Sequence, residues 1–170
     1  MATEALKSDV ITNVVASTQT LNNPYKDGKG KVAKGFVTAL AASDVGSTYR
    51  MVRLPSNAII NRVTFRTDGG SAGGATGVVD IGTHTASNTT TIGAVLDANL
   101  WGNYNIATPS TGTDVTVAGA VTLATCNQPL WQQSGLSTDP GGYIEVVLTS
   151  TTDIAVQDTI FQVEVEYCAG

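Results

Sequence analysis

TIFQVEVEY, residues 159–167, alternates without a break: Phe161, Val163, Val165 and Tyr167 fall on one side of an extended chain, and Gln162, Glu164 and Glu166 on the other. A period of two, with aromatic and β-branched residues in the apolar places, is the pattern of a strand with one dry face and one wet face. Just upstream, YIEVVL at 143–148 is built from the same residue types, and Asp139-Pro140-Gly141-Gly142 before it is a turn signal. Residues 149–158 then read as a hairpin connection between two strands.

Toward the N-terminus the period stays two. Strands are predicted over 36–42, 48–54 and 59–67, with Pro55-Ser56-Asn57 as the turn between the last two. In the third, Val63 and Phe65 face one way while Arg62, Thr64 and Arg66 face the other. Four glycines punctuate the loop at 68–74, and a strand over 77–81 and a polar loop over 83–91 follow. Residues 94–101 suit one or two helical turns, and Val115, Val117 and Val121 suggest another strand or two. About eight short strands joined by Gly- and Asn-rich loops predict an all-β protein. The expected form is an antiparallel β-sandwich, jelly-roll-like, over residues 35–170, behind an extended N-terminal arm over 1–34. If the strands at 59–67 and 159–167 are neighbours, Arg62 and Arg66 should pair with Glu164 and Glu166, adding a few tenths of a kcal/mol each.

The charges are few and unevenly placed. Charged residues are 14% of the 170, against about 25% in an ordinary soluble domain, so Thr, Ser, Asn and small apolar side chains must cover much of the surface, as suits burial against partners. Residues 1–34 hold five lysines against Glu4, Asp9 and Asp27, a balance of +2, while the remainder, with four arginines against eleven acids, stands at −7. A body of −7 lacks the basic stripe that displaces counterions from phosphates, so nucleic acid is not an expected partner. In the arm, LNNPYKDGKGKVAKG at 21–35 sets glycines among four lysines and offers little apolar surface for self-ordering. One reading is a loose leader; the functional one is an arm that orders on a neighbouring subunit, with Tyr25, Lys26, Lys29, Lys31 and Lys34 as the partner-binding residues. The opening MATEALKSDVITNVV has neither the charged start nor the apolar run of a signal peptide, and no stretch of about 18 apolar residues occurs, so synthesis in the cytoplasm without a membrane anchor is expected. Cys126 and Cys168 show no CxxC spacing and are expected to be reduced.

The side chains that do chemistry are sparse. The sole histidine, His84, lies in THTASNTTT and reads as a solvated loop residue, with no G-x-S-x-G elbow or Cys-His motif beside it. Outside the arm the glutamates are Glu145, Glu164 and Glu166, and two of these belong to the polar face of the last strand, a solvated face rather than a glycosidase pair. Asp80, Asp97, Asp114, Asp153 and Asp158 are scattered and form no calcium-loop motif. The glycine loop lacks the Gly-Lys-Ser/Thr ending of a phosphate-binding loop and leads into a strand. No catalytic, metal or cofactor residues are therefore assigned, and no enzyme activity is expected. Trp101, Tyr104 and Trp131 are the aromatics that could stack on a sugar, although Trp in a sandwich more often serves the core or an interface.

GSTYRMVRLPSNAIINRVTF at 46–65, followed by GATGVVDIGTHT and GAVLDANLW, resembles a family of small capsid cement or decoration proteins of tailed bacteriophages. There, a strand ending in Arg-Leu-Pro leads through a small turn into an Ile/Val strand, and an Asp-Ile-Gly strand end follows after a loop. The matching positions are Arg53-Leu54-Pro55, residues 59–65 and Asp80-Ile81-Gly82, and the likeness covers about residues 30–105. The resemblance implies a jelly-roll-like sandwich on the outside of the virion head, bound across contacts between major capsid protein subunits and self-associating as a homodimer or homotrimer. From the charge, motif and hydropathy readings, no cofactor, no direct nucleic-acid contact and no membrane partner are expected. The alternative from the same composition is a receptor- or glycan-binding sandwich on a phage fibre or tail, dependent on Trp101 or Trp131.

Overall fold

The computed structural model describes residues 5–7, 30–40, 43–69, 77–107, 109–154 and 158–168. In chain order these form β1 (Ala5–Lys7), β2 (Lys31–Thr38), β3 (Thr48–Pro55), β4 (Ile59–Thr67), β5 (Val78–Thr85), β6 (Val95–Asp97), β7 (Asn103–Asn105) and β8 (Ser110–Asp114), then α1 (Leu130–Gln133), β9 (Tyr143–Ser150) and β10 (Ile160–Cys168). A six-stranded sheet runs β1-β3-β9-β5-β6, with β7 also on β5, and a four-stranded sheet runs β2-β10-β4-β8. The strand pairs are antiparallel except β1 on β3, which is parallel over three residues.

From β2 to β5 each strand lies in the opposite sheet to the one before it, and the same holds for β8, β9 and β10. This alternation wraps the chain around its own core in a jelly-roll-like sandwich. It also corrects the hairpin expected at 149–158, because β9 and β10 belong to different sheets. A short Thr/Asp-rich connection looks alike whether the next strand pairs with the last one or crosses to the facing sheet. The turn after Pro55 is such a crossing and is held from three sides. Leu130 and Trp131 at the start of α1 donate their N–H groups to the carbonyls of Ala58 (2.8 Å) and Ser56 (2.9 Å), the Ser56 N–H bonds to the Gly142 carbonyl, and the Ser56 hydroxyl bonds to Asp139 Oδ1 at 2.6 Å. The orphan donors of a one-turn helix are thus satisfied by the turn that it caps.

Other boundaries move for local reasons. β2 begins at Lys31 rather than at Phe36, since Val32, Lys34 and Phe36 already alternate with Ala33, Gly35 and Val37; the domain boundary expected after residue 34 therefore falls inside a strand, and Ala5–Lys7 of the expected arm belong to the six-stranded sheet as β1. β5 continues to Thr85, and the helical turns expected at 94–101 are instead β6 and a turn. The strand expected around Val115, Val117 and Val121 ends at Asp114; Val115 and Val121 enter the core from turns and Val117 is exposed.

The core lies between the sheets. Tyr49, Val52, Leu54, Ile81, Ile144, Val146 and Leu148 from one side meet Val37, Val63, Phe65, Phe161, Val163 and Val165 from the other, all buried. Each fully buried large apolar side chain contributes about 1.5–3 kcal/mol relative to leaving it in water. The Tyr49 and Phe161 rings, 5.1 Å apart and inclined at 58°, join β3 to β10 across the interior. Replacing Phe161 by Ala should cost about 3–5 kcal/mol of unfolding free energy, whereas Val117→Ala, at an exposed position, should change it by less than about 0.5 kcal/mol; urea denaturation of the two variants measures the difference.

Candidate functional site

Two groups of charged side chains lie on the outer faces of the sandwich, one on each sheet. On the six-stranded sheet, Arg50 (2% exposed), Arg53 (6%) and Glu145 (0%) form a buried ionic cluster. Arg50 grips the carboxylate at two points, Nε to Oε2 at 2.7 Å and Nη2 to Oε1 at 2.5 Å, and Arg53 Nε reaches Oε1 at 2.7 Å. Residues three apart on a regular strand face opposite ways. Here the register of β3 on β9 shifts between Arg50 and Val52, an irregularity at Met51 that puts both arginines on the Glu145 side.

Two guanidinium groups and one carboxylate leave a surplus positive charge, and acceptors in the loop over 86–94 absorb it. Arg50 Nη1 bonds to the Thr89 carbonyl at 2.9 Å and Nη2 to the Ser87 carbonyl at 2.5 Å; Arg53 Nη1 bonds to Asn88 Oδ1 at 2.7 Å and Nη2 to the Ser87 carbonyl. The loop is thereby fastened over the sheet, and Val147, opposite Arg50 and turned away from the core, is fully buried. His84 lies directly across from Glu145 on β5 and is buried, not a solvated loop residue; its Nδ1–H donates to the Gly93 carbonyl at 3.1 Å. Burial lowers its pKa below the ordinary 6.5, against the opposing pull of that bond and of Glu145. Every group in this cluster is engaged inside the chain, so it offers neither a free base nor an open anion site.

The four-stranded sheet is different. Its outer face carries Val32, Lys34 and Phe36 from β2, Gln162, Glu164 and Glu166 from β10, and Arg62, Thr64 and Arg66 from β4. Glu164 sits between Lys34 Nζ (3.3 Å) and Arg66 Nη1 (2.9 Å), and its pKa is lowered, first by the hydrogen bond from Arg66. The expected neighbourhood of the two strands holds, with one partner changed: Arg66 pairs diagonally with Glu164, while Arg62 Nε is 3.4 Å from Asp114 on β8. Asp114 is held low chiefly by hydrogen bonds from the hydroxyl and N–H of Thr116. These half-exposed pairs contribute tenths of a kcal/mol each. The face stays wet, and with equal numbers of basic and acidic groups it is close to neutral.

Of the residues singled out in the sequence, Tyr25, Lys26 and Lys29 lie outside the described residues. Lys31 and Lys34 are in β2, and Lys34 spends part of its charge on Glu164. Trp101 is fully buried and presents no ring for a sugar, and Trp131 packs against the core from α1. Among the described residues no three His, Cys, Asp or Glu side chains stand where they could hold a metal ion, and no helix is long and apolar enough to cross a membrane. Cys126 and Cys168 are free thiols, both half-buried. Sequence reasoning missed the Arg50–Glu145–Arg53 cluster; the available signal was a pair of arginines and a glutamate embedded in the apolar runs MVRLP and YIEVVL.

No protein-family model matches the sequence, and no curated protein matches it. Among solved structures the chain is similar to one in the capsid of Ralstonia phage GP4, with 16% identity and a TM-score of 0.62 over 98% of this chain and 99% of that one. It is similar also to a chain in the capsid asymmetric unit of cyanophage Pam1, with 18% identity and a TM-score of 0.50 over 89% and 94%. At these identities what is shared is the fold, a β-sandwich matched along nearly its whole length.

Two outcomes follow from the ionic cluster. Glu145→Gln leaves two guanidinium groups buried without an anion and should cost about 3–5 kcal/mol, whereas Glu164→Gln on the wet face should cost under about 1 kcal/mol; urea midpoints separate them. As pH falls below 6.5, the unfolded chain takes up the His84 proton before the folded one does. Stability from this group is complete above that value and drains away as pH drops toward the lowered folded-state pKa. Melting temperatures between pH 7.5 and 5.5 should therefore fall less steeply for His84→Asn than for the unmodified chain.

Proposed function

We propose that this chain is a structural protein of a tailed-phage virion, a cement or decoration protein that binds the outside of the major capsid protein shell and bridges neighbouring subunits. The end-to-end likeness of its sandwich to a chain from a phage capsid carries the reading, because a single shell-associated fold accounts for 98% of the sequence. Three properties support it. Arg50, Arg53 and Glu145 of the six-stranded sheet satisfy one another internally, the outer face of the four-stranded sheet is nearly neutral, and the low charged fraction makes the surface inexpensive to desolvate.

In this reading the work is mechanical. Contacts burying about 1,000 Å² or more across subunit boundaries stabilise the assembled shell by mass action and resist the outward pressure of packaged DNA. Residues 8–30, which follow β1 and carry Tyr25, Lys26 and Lys29, act as a tether that orders on a capsid subunit or a second copy, and Lys31 and Lys34 continue that basic stretch onto the sheet. The entropy cost of ordering such a segment is offset only by a partner's surface. No cofactor, nucleic acid or membrane is part of the mechanism.

Shells assembled with the protein should withstand a higher temperature than shells without it, as read by release of encapsidated DNA; equal release temperatures would refute the cement role. A chain lacking residues 1–30 loses the three-residue β1 but should keep the rest of the sandwich folded, yet co-sediment with shells at lower occupancy than the full chain. Undiminished occupancy would remove the tether from the mechanism.

A further inference from the structure

We propose that two copies of this chain join edge to edge through β2, antiparallel about a two-fold axis at Gly35, so that two four-stranded sheets become one of eight strands. The inference deepens the shell-protein reading, on which it rests for its setting, but it is drawn from the backbone of β2. Sheet edges are sites for pairing unless they are short, kinked, proline-bearing or charged. β6 and β7 have three residues each, β8 has five with a register shift, and β3 carries the Met51 irregularity, ends in Pro55 and is partly covered by β1. β2 differs: eight residues, no proline, and an unbroken register with β10 from Lys31 to Thr38. Among the described residues β10 is its sole strand partner.

The direction of its backbone groups follows from one bond. Ala39 donates its N–H to the Thr159 carbonyl at 2.9 Å, in step with the pairing of Thr38 and Ile160. In an antiparallel ladder alternate residues turn their N–H and C=O to opposite neighbours. Ala33, Gly35 and Val37 therefore bond toward β10, and Val32, Lys34, Phe36 and Thr38 point theirs at the edge. A second β2 placed with its Gly35 opposite this Gly35 brings Lys34 against Phe36 and Val32 against Thr38, each pair twice, for about eight backbone hydrogen bonds. Outward side chains then meet outward ones, as a one-residue slip would not allow. An axis at Lys34 would oppose two lysines, and one at Phe36 would shorten the overlap to residues 34–38.

The side chains favour the same register. Lys34, whose charge would otherwise guard the edge, is drawn to Glu164 and comes to lie beside the aromatic ring of Phe36 from the other copy. Val32 (61% exposed) and Phe36 (49%) are large apolar side chains that the single chain leaves in water and the pair would cover. On the inner face Ala33 meets Val37, which extends the core from one molecule to the next.

Sedimentation equilibrium of the full chain tests this, with Phe36→Lys and Lys34→Pro as variants. Phe36→Lys sets like charges opposite each other at both symmetric positions; Lys34→Pro removes an edge-facing N–H without touching the ladder to β10. The unmodified chain should be a dimer, and each variant should dissociate at least tenfold more readily with its circular dichroism spectrum unchanged. Amide exchange gives a second readout: residues 32, 34, 36 and 38 should exchange slowly in the unmodified chain and rapidly in Phe36→Lys, while 33, 35 and 37 stay protected in both. A monomeric unmodified chain, or a dimer that neither variant weakens, overturns the inference and leaves the shell-binding role to its own test. Should Phe36→Lys abolish shell binding by a chain that is monomeric throughout, the edge takes a strand of another protein and the inference is likewise wrong.

Discussion

Glu145, shut away from water between two guanidinium groups, constrains the rest of the sandwich. A buried carboxylate is tolerated when its charge is matched and its lone pairs are filled, and a buried arginine when its donors are used. Both conditions are met here by residues far apart in sequence: β3 supplies the arginines, β9 the carboxylate, and residues 86–94 the carbonyls that take the remaining donors. A buried ion pair contributes little net stability compared with a well-packed apolar substitute. Its effect is on register. Sliding β3 by one residue along β9 would turn Arg50 and Arg53 into the core and Val52 and Leu54 out of it, so the arrangement admits one alignment.

That alignment makes the two outer faces unequal. Over the six-stranded sheet the 86–94 loop is held down by four side-chain bonds from the arginines, so that even Val147, behind the sheet, is dry. Over the four-stranded sheet the ion pairs are half in water, and Phe36 and Ile160 remain exposed beside them. On the proposed reading, in which other subunits cover the protein, the finished face would stay in solvent and the unfinished one would meet the partner. Neutralised pairs on the unfinished face cost less to cover than lone charges would, because each partner's field is already partly compensated.

The strongly periodic parts of the fold were legible before any coordinates. Phe161, Val163, Val165 and Tyr167 point inward and Gln162, Glu164 and Glu166 outward, and in β4 Val63 and Phe65 are buried while Arg62 and Arg66 are not, because a period of two states directly which face is dry. What periodicity leaves open is adjacency. Residues 149–158 cross between sheets, and nothing local distinguishes that path from a hairpin. Lysines in a strand hid the start of β2, since Lys31 and Lys34 read as arm chemistry until Val32, Ala33, Gly35 and Val37 are seen alternating around them. The ionic cluster was invisible for a third reason: spacing assigns Arg50 and Arg53 to opposite faces, and only a shift of register at Met51 brings them together. His84 was misread because a threonine-rich segment can be either a loop or the end of a strand, and pairing with β9 decides in favour of the strand.

The order β2-β10-β4-β8 also bears on how such a sandwich would carry load. A tether formed by residues 8–30 would deliver tension at Lys31, the first residue of β2, and β2 runs antiparallel to β10 over its whole length. A pull along β2 therefore loads the backbone bonds of that ladder together, as a shear, whereas a pull across it would open them one at a time. Each bond contributes only about 1 kcal/mol at equilibrium, but bonds loaded in parallel must break in one step. Gly35 and Val37, on the inner face, are buried, so sliding β2 out would also drag apolar surface into water. β2 is thus held by a full-length ladder and by the core at once, the combination that a load-bearing attachment would require.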